Sequence, residues 1–335
     1  MFQVTMPMLP SQSVLRTRRE SRQLSGTVSA LSGRMKIGSQ LSSRPKPRPA
    51  RSAERRAKRA ATGRAIVGIS GYDYKPWRGR FYPEALPARR WLEYASRRFN
   101  SIELNGTFYS LKSPSVFQRW ADDVPERDFV FAVKGGRFLT HNLKLRRSES
   151  ALGNFFASGV LALGARTGPF LWQLPATYSF DAERMDGFMR LLPRDAREGE
   201  AVARQHDQRL RRGALTEAAV NVPYRHAFEV RHPSYFHEEF YSILRDHQCA
   251  FVIADSAGKF PIAYEVTADF VYVRLHGSQE LYVSGYTDAE LDEWAGRIAM
   301  WRVLRGRSRD VYVYFDNDAK VHAPFDAQRL IERLR

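Results

Sequence analysis

The sequence alternates short β-rich runs with segments of helical spacing, and this rhythm restricts the fold more than any other feature. Strand–helix alternation is typical of parallel sheets, because each crossover must return the chain to the same end of the sheet. Eight runs occur from residue 65 onward: AIVGIS (65–70), SIELN (101–105), FVFAVK (129–134), PFLWQL (169–174), HAFEVR (226–231), AFVIAD (250–255), FVYVRL (270–275) and DVYVYFD (310–316).

Segments with helical spacing or composition separate most of these runs, and one more follows the last run. They cover 87–99, 113–123, 149–163, 181–192, 234–247, 287–304 and 324–335. Eight units in about 270 residues predict a single α/β domain over 65–335, a (β/α)₈ TIM-type barrel in which irregular units are allowed. A doubly wound open sheet is the alternative. No G-x-G-x-x-G or G-x-x-x-x-G-K-[ST] motif follows any run, which counts against the nucleotide-binding form of that alternative.

Polar side chains arrive at the C-terminal end of nearly every run. Strand side chains alternate between faces, so Tyr272, Arg274 and His276 share one face of the seventh run. The corresponding residues of the other runs are Glu103, Asn105, Lys134, Gln173, Glu229, Arg231, Asp255 and, after Tyr312 and Tyr314, Asp316 with Asn317 next to it. A sheet with one solvent-exposed face would have polar residues along the whole of each strand. Barrel enzymes instead have their functional polar residues at the C-terminal mouth. The pattern therefore predicts one shared site.

The predicted site contains carboxylates that suit acid–base catalysis. Glu103 and Glu229 lie on non-adjacent runs and could act as general acid and base or as a glycosidic pair. The alternative is that each carboxylate only neutralises a neighbouring cation, as charged groups at that depth require. Glu229 is the leading acid–base candidate because FEVRH also brings Arg231 and His232 close to it. The predicted catalytic residues are Glu103, Lys134, Glu229 and His276.

The remaining candidates are predicted to bind substrate. The cations Lys134, Arg231 and Arg274 suit phosphate or carboxylate groups, which guanidinium forks bind in a bidentate manner. Aromatic residues close to the strand ends could stack on a sugar or a base. The predicted substrate-binding residues are Tyr72, Asn105, Tyr109, His141, Gln173, Arg231, His232, Asp255, Arg274, Tyr286 and Asn317.

No cofactor is predicted, and a divalent metal is the alternative. His141, His232 and His276 could join the carboxylates in an open metal site. However, the sequence has no H-x-H or H-E-x-x-H spacing, and three cations would crowd a metal ion. Cys249 is the single cysteine, which excludes an internal disulfide and a cysteine-based zinc cluster. With no run approaching 18 apolar residues, we expect a cytoplasmic protein without a membrane segment.

The net charge of +17 belongs mainly to the N-terminal segment. Residues 1–64 contain 15 Lys and Arg and two acidic residues, so they carry +13 and leave +4 for 65–335. This segment is rich in Ser, Arg and Pro and has no apolar period, which predicts a disordered basic extension. Three interpretations remain open: a mis-started extension, since Met35 offers a later start; a transit peptide; or an arm that binds nucleic acid weakly.

Several motifs resemble one known family. They are GISGYDYKPWRGRFYP (68–83), IELNGTFYSLKSP (102–114), FAVKGGRFLTH (131–141), FEVRHPSYF (228–236), VRLHGSQELYVSGY (273–286) and VYFDNDAKVHAPFDAQRL (313–330). In this order they look like the domain-of-unknown-function 72 family, the YecE-like proteins. The resemblance covers about 65–335 and implies a TIM-type barrel of cytosolic bacterial type with no established reaction. Family members often have Trp where this chain has Tyr72, and residues 1–64 lie outside the resemblance.

Two classes of function follow from these patterns. The first is a hydrolase- or isomerase-like enzyme that acts on a small anionic or polyhydroxylated, sugar-like substrate at the barrel mouth. The second is a non-catalytic module that binds a ligand or nucleic acid through the basic, aromatic mouth and the extension. The sequence indicates neither a membrane partner nor an oligomeric state.

Overall fold

The computed structural model describes residues 62–125, 128–210 and 213–335, and in these ranges the chain forms a closed barrel. Eight strands pair in parallel in chain order, and the first closes on the last through pairs such as Ala65 with Val311 and Ile69 with Phe315. Closure excludes the open doubly wound sheet and confirms the predicted TIM-type barrel. The strands are β1 (Ala65–Ser70), β2 (Ser101–Leu104), β3 (Val130–Lys134), β4 (Thr167–Gln173), β5 (His226–Glu229), β6 (Ala250–Asp255), β7 (Phe270–Leu275) and β8 (Asp310–Phe315).

The helices cover the outside of the strands. Within the described ranges they are α1 (Trp91–Ser96), α2 (Gly106–Tyr109), α3 (Pro114–Asp122), α4 (Glu149–Ala157), α5 (Ala182–Arg190), α6 (Ala196–Ala203), α7 (Glu238–Asp246), α8 (Asp288–Trp301) and α9 (Ala323–Arg333). Short 3₁₀ segments lie at Lys75–Trp77, Ala88–Arg90, Val160–Arg166, Pro233–Tyr235 and Leu304–Gly306, and a π-helical turn lies at Phe138–Asn142. None of the helices described here is both long and apolar enough to cross a membrane.

Capping side chains fix several helix starts. Thr287 and Glu290 form a capping box at the start of α8, and Asp181 accepts a hydrogen bond from the backbone N–H of Arg184 in α5. Helix α6 was not among the predicted helices, although Asp195 caps it by accepting from the backbone N–H of Glu198. The connection from β6 to β7 contains no helix, so the barrel is irregular there.

The two faces of the strands build two separate cores. The outward faces pack against the helices, and Val271, Val273 and Trp172 belong to this large outer cluster. The inward faces form a smaller cluster that mixes alanines such as Ala227 with aromatic rings such as Tyr272. Because residues alternate along every strand, this division decides which polar residues enter the mouth.

Most of the predicted extension over 1–64 lies outside the described residues. Of its last residues, the Gly63 N–H donates to the Arg302 carbonyl at 3.2 Å. The Arg64 guanidinium donates to Asp310 Oδ2 at 2.8 Å, and the Arg64 carbonyl accepts from the Val311 N–H at 2.8 Å. Gly63 and Arg64, which the prediction assigned to the extension, are thus bonded to the barrel. Arg64 extends the pairing of β1 with β8 by one residue towards the N-terminus.

Candidate active site at the C-terminal mouth

Arg274 lies at the centre of the C-terminal mouth and is fully buried. Its guanidinium donates to Glu103 Oε1 and to Glu229 Oε2, both at 2.7 Å. It also donates to Asp316 Oδ2 and to Ser70 Oγ, both at 2.8 Å. Burial alone would lower the pKa of Arg274, but Glu103, Asp316 and Glu229 raise that pKa well above its ordinary value. Arg274 is therefore a permanent cation that organises three carboxylates from β2, β5 and the end of β8.

Glu103 is held by hydrogen bonds on both carboxylate oxygens. Oε1 accepts from Ser70 Oγ and from Arg274 Nη2. Oε2 accepts from Tyr272 Oη at 2.6 Å and from Arg274 Nε at 3.1 Å. The side chain is 0% exposed. These four bonds fix the carboxylate and occupy the positions through which it would act on a substrate.

Glu229 pairs with two arginines at once. Besides Arg274, it accepts from Arg231 Nε at 2.8 Å, and Arg231 Nη2 reaches Tyr282 Oη at 3.3 Å. Burial alone would raise the pKa of Glu229, but the charges of Arg231 and Arg274 hold it well below its ordinary value. Such a carboxylate stays ionised and is a weak base, so the geometry gives Glu229 a charge-balancing role rather than that of the leading acid–base group.

His276 and Asp316 extend the same ionic cluster. The His276 Nδ1 atom lies 3.0 Å from Asp316 Oδ2, and its Nε2 lies 3.9 Å from Glu229 Oε1. The imidazole meets the Tyr282 ring edge-to-face with centroids 5.3 Å apart. Burial would raise the pKa of Asp316, but Arg274 and His276 lower it below its ordinary value. His276, a predicted catalytic residue, is therefore packed inside the cluster.

Lys134 differs from the two arginines. Among the described residues, no carboxylate oxygen lies within 4.0 Å of its Nζ atom. The Nζ atom lies 4.7 Å from the centre of the Phe108 ring, and Lys134 is only 9% exposed. Burial and the charge of Arg274 lower the pKa of Lys134, against the opposing effect of Glu103. Lys134 is thus a buried amine whose charge is poorly balanced.

A cavity of about 750 Å³ opens above this cluster. Its charged floor includes Glu103, Lys134, Arg231 and Asp316, and its walls are largely aromatic. The residues of this floor and wall are Gly71, Tyr72, Asp73, Tyr74, Glu103, Leu104, Asn105, Gly106, Phe108, Tyr109, Lys112, Trp120, Lys134, His141, Gln173, Arg231, Tyr282, Asp316 and Asp318. The volume lies within the range of small-molecule sites.

Asp318 is the acidic counterpart of Lys134 in this cavity. No basic nitrogen of a described residue lies within 4.0 Å of its carboxylate. Burial, together with the negative charge of Asp316, raises the pKa of Asp318 to about 6. The cavity therefore presents one carboxyl group and one amine that lie outside the ion pairs and whose pKa values move towards neutrality.

The cavity also gathers most of the predicted binding residues. Tyr72 accepts from Trp120 Nε1 at 2.8 Å, and Tyr109 is 77% exposed at the rim. Asn105 donates to Ser70 Oγ at 2.8 Å, while Gln173 lines the wall. Of the predicted residues, the structure brings together Tyr72, Glu103, Asn105, Tyr109, Lys134, His141, Gln173, Glu229, Arg231, Arg274 and His276.

His141 enters the cavity from the π-helical turn after β3. Its Nδ1 atom lies 2.9 Å from the Thr140 hydroxyl. Burial and the neighbouring charges of Lys134 and Arg137 lower the pKa of His141 to about 4. The imidazole is therefore neutral at pH 7 and can offer a hydrogen bond to a ligand without adding charge.

Asp255 and Tyr286 do not enter the cavity, contrary to the prediction. The inward face of β6 carries Val252 and Ala254, so Asp255 lies on the opposite face. There it accepts a hydrogen bond from Tyr286 Oη at 3.0 Å. Tyr286 is buried against Phe315 in the outer core. The pair joins the loop after β7 to the outside of the barrel.

Asn317 and His232 are also placed elsewhere. Asn317 follows Asp316 by one residue and so points away from it, donating to Asp326 Oδ2 at 2.9 Å and to the Ser284 carbonyl at 3.0 Å. His232 turns back on its own loop, where Nδ1 accepts from the Ser234 N–H at 3.2 Å. It caps the short 3₁₀ segment that follows β5.

Four residues of the cluster and cavity, namely Ser70, Tyr282, Asp316 and Asp318, were given no predicted catalytic or binding role, although Asp316 was placed on the inward face of the last run. Asp316 carried a signal, because alternation places it with Tyr314 on one face of β8. The same alternation from Ile66 leads to Ser70 at the end of β1. Asp318 and Tyr282 lie in loops, where strand alternation does not apply. Only the path of those loops brings them to the cavity.

The donor arrangement does not favour a metal. In the part of the chain that the structure describes, no group of three or more His, Cys, Asp or Glu side chains is arranged to hold a metal ion. The oxygens of Glu103, Glu229 and Asp316 converge instead on Arg274, whose guanidinium occupies the centre where a cation would sit.

The closed parallel barrel and the polar residues at its C-terminal mouth define a TIM-type (β/α)₈ barrel protein. Residues 66–335 match the family described as Protein of unknown function DUF72, and the chain belongs to this family, which confirms the resemblance. The chain is similar to the UPF0759 protein YecE of Escherichia coli K12, with 27% identity over 253 residues that cover 73% of this chain and 85% of that protein.

Two solved structures have the same fold. A DUF72 family protein from Thermotoga maritima is 26% identical, with a TM-score of 0.64, and the match covers 81% of this chain and 98% of that one. A DUF72 family protein from Enterococcus faecalis is 14% identical, with a TM-score of 0.59, covering 81% and 95% of the two chains. The match to the family over residues 66–335 establishes the family, the two structures share the fold, and none of the names specifies a reaction.

Proposed function

We propose that the protein is an enzyme that acts on a small polyhydroxylated substrate by acid–base chemistry at the C-terminal mouth. One observation carries the proposal: Lys134 and Asp318 face the same polar cavity but stand outside the ion pairs that join Glu103, Glu229 and Asp316 to Arg231 and Arg274. Burial lowers the pKa of Lys134 and raises that of Asp318 to about 6. General acids and bases work best when their pKa values lie near the operating pH.

The ion pairs favour a hydroxylated substrate over an anionic one. Arg231 and Arg274 are the strongest cations of the mouth, yet each already contacts Glu229 at 2.8 Å or less. An anionic ligand would have to compete with these carboxylates. Hydroxyl groups could instead bind the uncharged donors and acceptors of the wall, which include Tyr72, Asn105 and Gln173.

Within the predicted hydrolase or isomerase classes, the geometry favours isomerisation. A glycosidase needs two carboxyl groups free to act on the scissile bond. Here Glu103 and Glu229 both bond to Arg274, and the pKa of Glu229 lies too low for a general acid. Lys134 as base and Asp318 as acid can instead remove a proton beside a carbonyl group and protonate its oxygen.

Deuterium exchange from solvent tests this proposal. The full chain would be incubated in D₂O with a panel of aldoses and ketoses, and incorporation followed by NMR. Lys134→Met and Asp318→Asn should each lower the exchange rate by about 10²–10⁴-fold, the usual contribution of a positioned acid or base. Lys259→Met, at an exposed lysine outside the cavity, is the matched control and should exchange like the wild type.

Two outcomes would count against the enzyme. The first is exchange that both variants leave unchanged. The second is a sugar that binds the wild type, Lys134→Met and Asp318→Asn equally well without turnover by any of them. That result would favour the non-catalytic binding module. If the protein binds nucleic acid with an affinity that falls steeply with salt and depends on residues 1–64, the nucleic-acid-binding alternative would be favoured instead.

A further inference from the structure

The amine of Lys134 has an environment unlike that of the other cations around the cavity. Arg231 and Arg274 are bonded to carboxylates, and Lys112 Nζ donates to Ser110 Oγ at 2.9 Å. Lys134 Nζ instead lies over the face of the Phe108 ring at 4.7 Å. Lys134 ends β3 and is only 9% exposed, so its amine is largely desolvated at the cavity floor. A desolvated amine without a carboxylate partner is one arrangement that activates a lysine as a covalent nucleophile.

We propose that Lys134 is a nucleophile that forms a Schiff base with a carbonyl-bearing, hydroxylated substrate. This inference rests on the proposed function of the same site and gives it a covalent route, in which Lys134 binds the carbonyl carbon instead of acting as the free base. The nitrogen lone pair attacks the carbonyl carbon, a C–N bond forms, and the carbonyl oxygen takes up a proton. The nitrogen then loses a proton, the C–O bond breaks as the hydroxyl takes a second proton, and water leaves to give a protonated imine. Loss of the remaining proton from the nitrogen gives the neutral imine. One amine and one carbonyl thus give one imine and one water.

The surroundings of Lys134 suit both halves of this step. Asp318 lines the same cavity and can donate the proton to the carbonyl oxygen, and the raised pKa of its carboxyl group keeps a protonated fraction available near pH 6. The imine gains a positive charge when it is protonated. Glu103, Glu229 and Asp316 raise the pKa of the Lys134 amine electrostatically and would stabilise that cation in the same way.

Reductive trapping on the full chain tests the inference. The protein would be incubated with dihydroxyacetone and sodium cyanoborohydride at pH 7, digested and analysed by peptide mass spectrometry. Hydride reduction of the imine leaves a secondary amine, so the modified lysine gains the mass of dihydroxyacetone less one oxygen atom. Labelling at Lys134 should exceed labelling at Lys112 and at the exposed Lys259 several-fold, because the lowered pKa of Lys134 leaves a larger fraction of its amine free at pH 7.

Labelling of Lys134 that only equals or falls below that of Lys112 and Lys259 would overturn the inference. The Lys134→Arg variant should lose the major adduct and keep the minor ones. The preference for Lys134 should also disappear above about pH 10, where ordinary lysines lose their protons. A preference that persists there would mean that the fraction of free amine does not cause the selectivity, and it would count against the inference.

The result separates this inference from the proposed function. If Lys134→Met abolishes deuterium exchange but the wild type forms no adduct at Lys134, the lysine acts as a base and the Schiff base is excluded. If the adduct forms selectively at Lys134 while no sugar undergoes exchange, the nucleophile is supported and the proposed isomerisation fails.

Discussion

The two ends of the barrel both place an arginine among acidic side chains, but they bury these charges to different depths. At the C-terminal end, the side chains of Arg274 and Glu103 are both 0% exposed. At the N-terminal end, Arg225 donates to Asp310 at 3.1 Å and is 30% exposed, while Arg64, which also binds Asp310, is 60% exposed. Water screens the second cluster, so its ion pairs contribute little to stability. Removing one member of the first cluster would instead leave a buried charge without its partner, which is strongly destabilising.

The two ends also differ in what remains outside the ion pairs. A cavity of about 670 Å³ lies at the N-terminal end, close in size to the one at the mouth. Most of its charged residues, among them Arg64, Arg97 and Asp128, are exposed. Of these two cavities in the described part of the chain, only the one at the mouth contains a buried amine and a half-buried carboxyl group outside the ion pairs, those of Lys134 and Asp318. Burial of ionisable groups therefore distinguishes the site, and cavity volume does not.

Of the changes considered, Arg274→Met should lower the free energy of unfolding most. The change leaves Glu103, Glu229 and Asp316 without the cation that they share, and one uncompensated buried charge costs on the order of 3–5 kcal/mol. The free energy of unfolding at pH 7, measured by urea denaturation, should fall by that amount. A loss of less than about 1 kcal/mol would mean that the cluster is as well solvated as its counterpart at the other end.

Glu229→Gln should cost on the order of 3 kcal/mol at pH 7, because Arg274 and Arg231 lose a shared partner. The sign of the pH dependence follows from the lowered pKa of Glu229 in the fold. Its contribution is complete above the unfolded-state pKa of about 4.3 and is lost as the pH falls towards the folded-state pKa. Urea titrations should show the wild type and the variant converging as the pH falls from about 5 to about 2.

The exposed Glu332 provides the control for this experiment. Glu332→Gln should change the stability at pH 7 by no more than about 0.5 kcal/mol, as is usual for surface positions. A difference between wild type and Glu229→Gln that stayed constant down to about pH 2 would show that lost packing, rather than lost charge, destabilises the variant.

Asp318→Asn should have a smaller effect of the opposite sign. The pKa of Asp318 is raised to about 6, so the folded state holds this proton more tightly than the unfolded chain, whose pKa is about 4. The stability of the wild type relative to the variant should therefore decline as the pH rises from about 4 to about 6. Above pH 7 the Asn variant should be more stable by about 1 kcal/mol after allowance for solvent screening.

Thermal melts followed by circular dichroism at pH 4 and pH 7.5 check the Asp318 prediction. The two proteins should melt together at the lower pH and separate at the higher one. A wild type that is more stable than Asp318→Asn at pH 7.5 would indicate an unrecognised favourable partner for the carboxylate and would remove Asp318 as the proton donor.

Arg225→Met at the N-terminal end should have the smallest effect. Arg225 contacts Asp310, Tyr312 and the face of Phe270, but water reaches the group. We expect a loss of about 0.5 kcal/mol at low salt that vanishes near 1 M NaCl, where the Debye length is about 3 Å. A loss as large as that of Arg274→Met would erase the proposed difference between the two ends.

Strand alternation predicted much of the mouth but not all of it. It correctly placed Glu103, Lys134 and Arg274 on inward faces. It failed in β6, where it assigned Asp255 to the inward face together with Phe251 and Ile253. Strands of a helix-covered barrel are buried on both sides, so hydrophobicity does not distinguish inside from outside. In β6 the smaller residues are the better signal, because its inner face carries Ala250 and Ala254 while β7 and β8 place tyrosines inside.

The sequence by itself determined the eight strands, their parallel order and the concentration of positive charge in residues 1–64. These properties depend on local periodicity and composition. Only the tertiary structure decided that Glu103 and Arg274, 171 positions apart, share two hydrogen bonds while Lys134 between them in sequence has no carboxylate partner among the described residues. Ion pairing and desolvation depend on distances across non-neighbouring strands, and local sequence does not contain those distances.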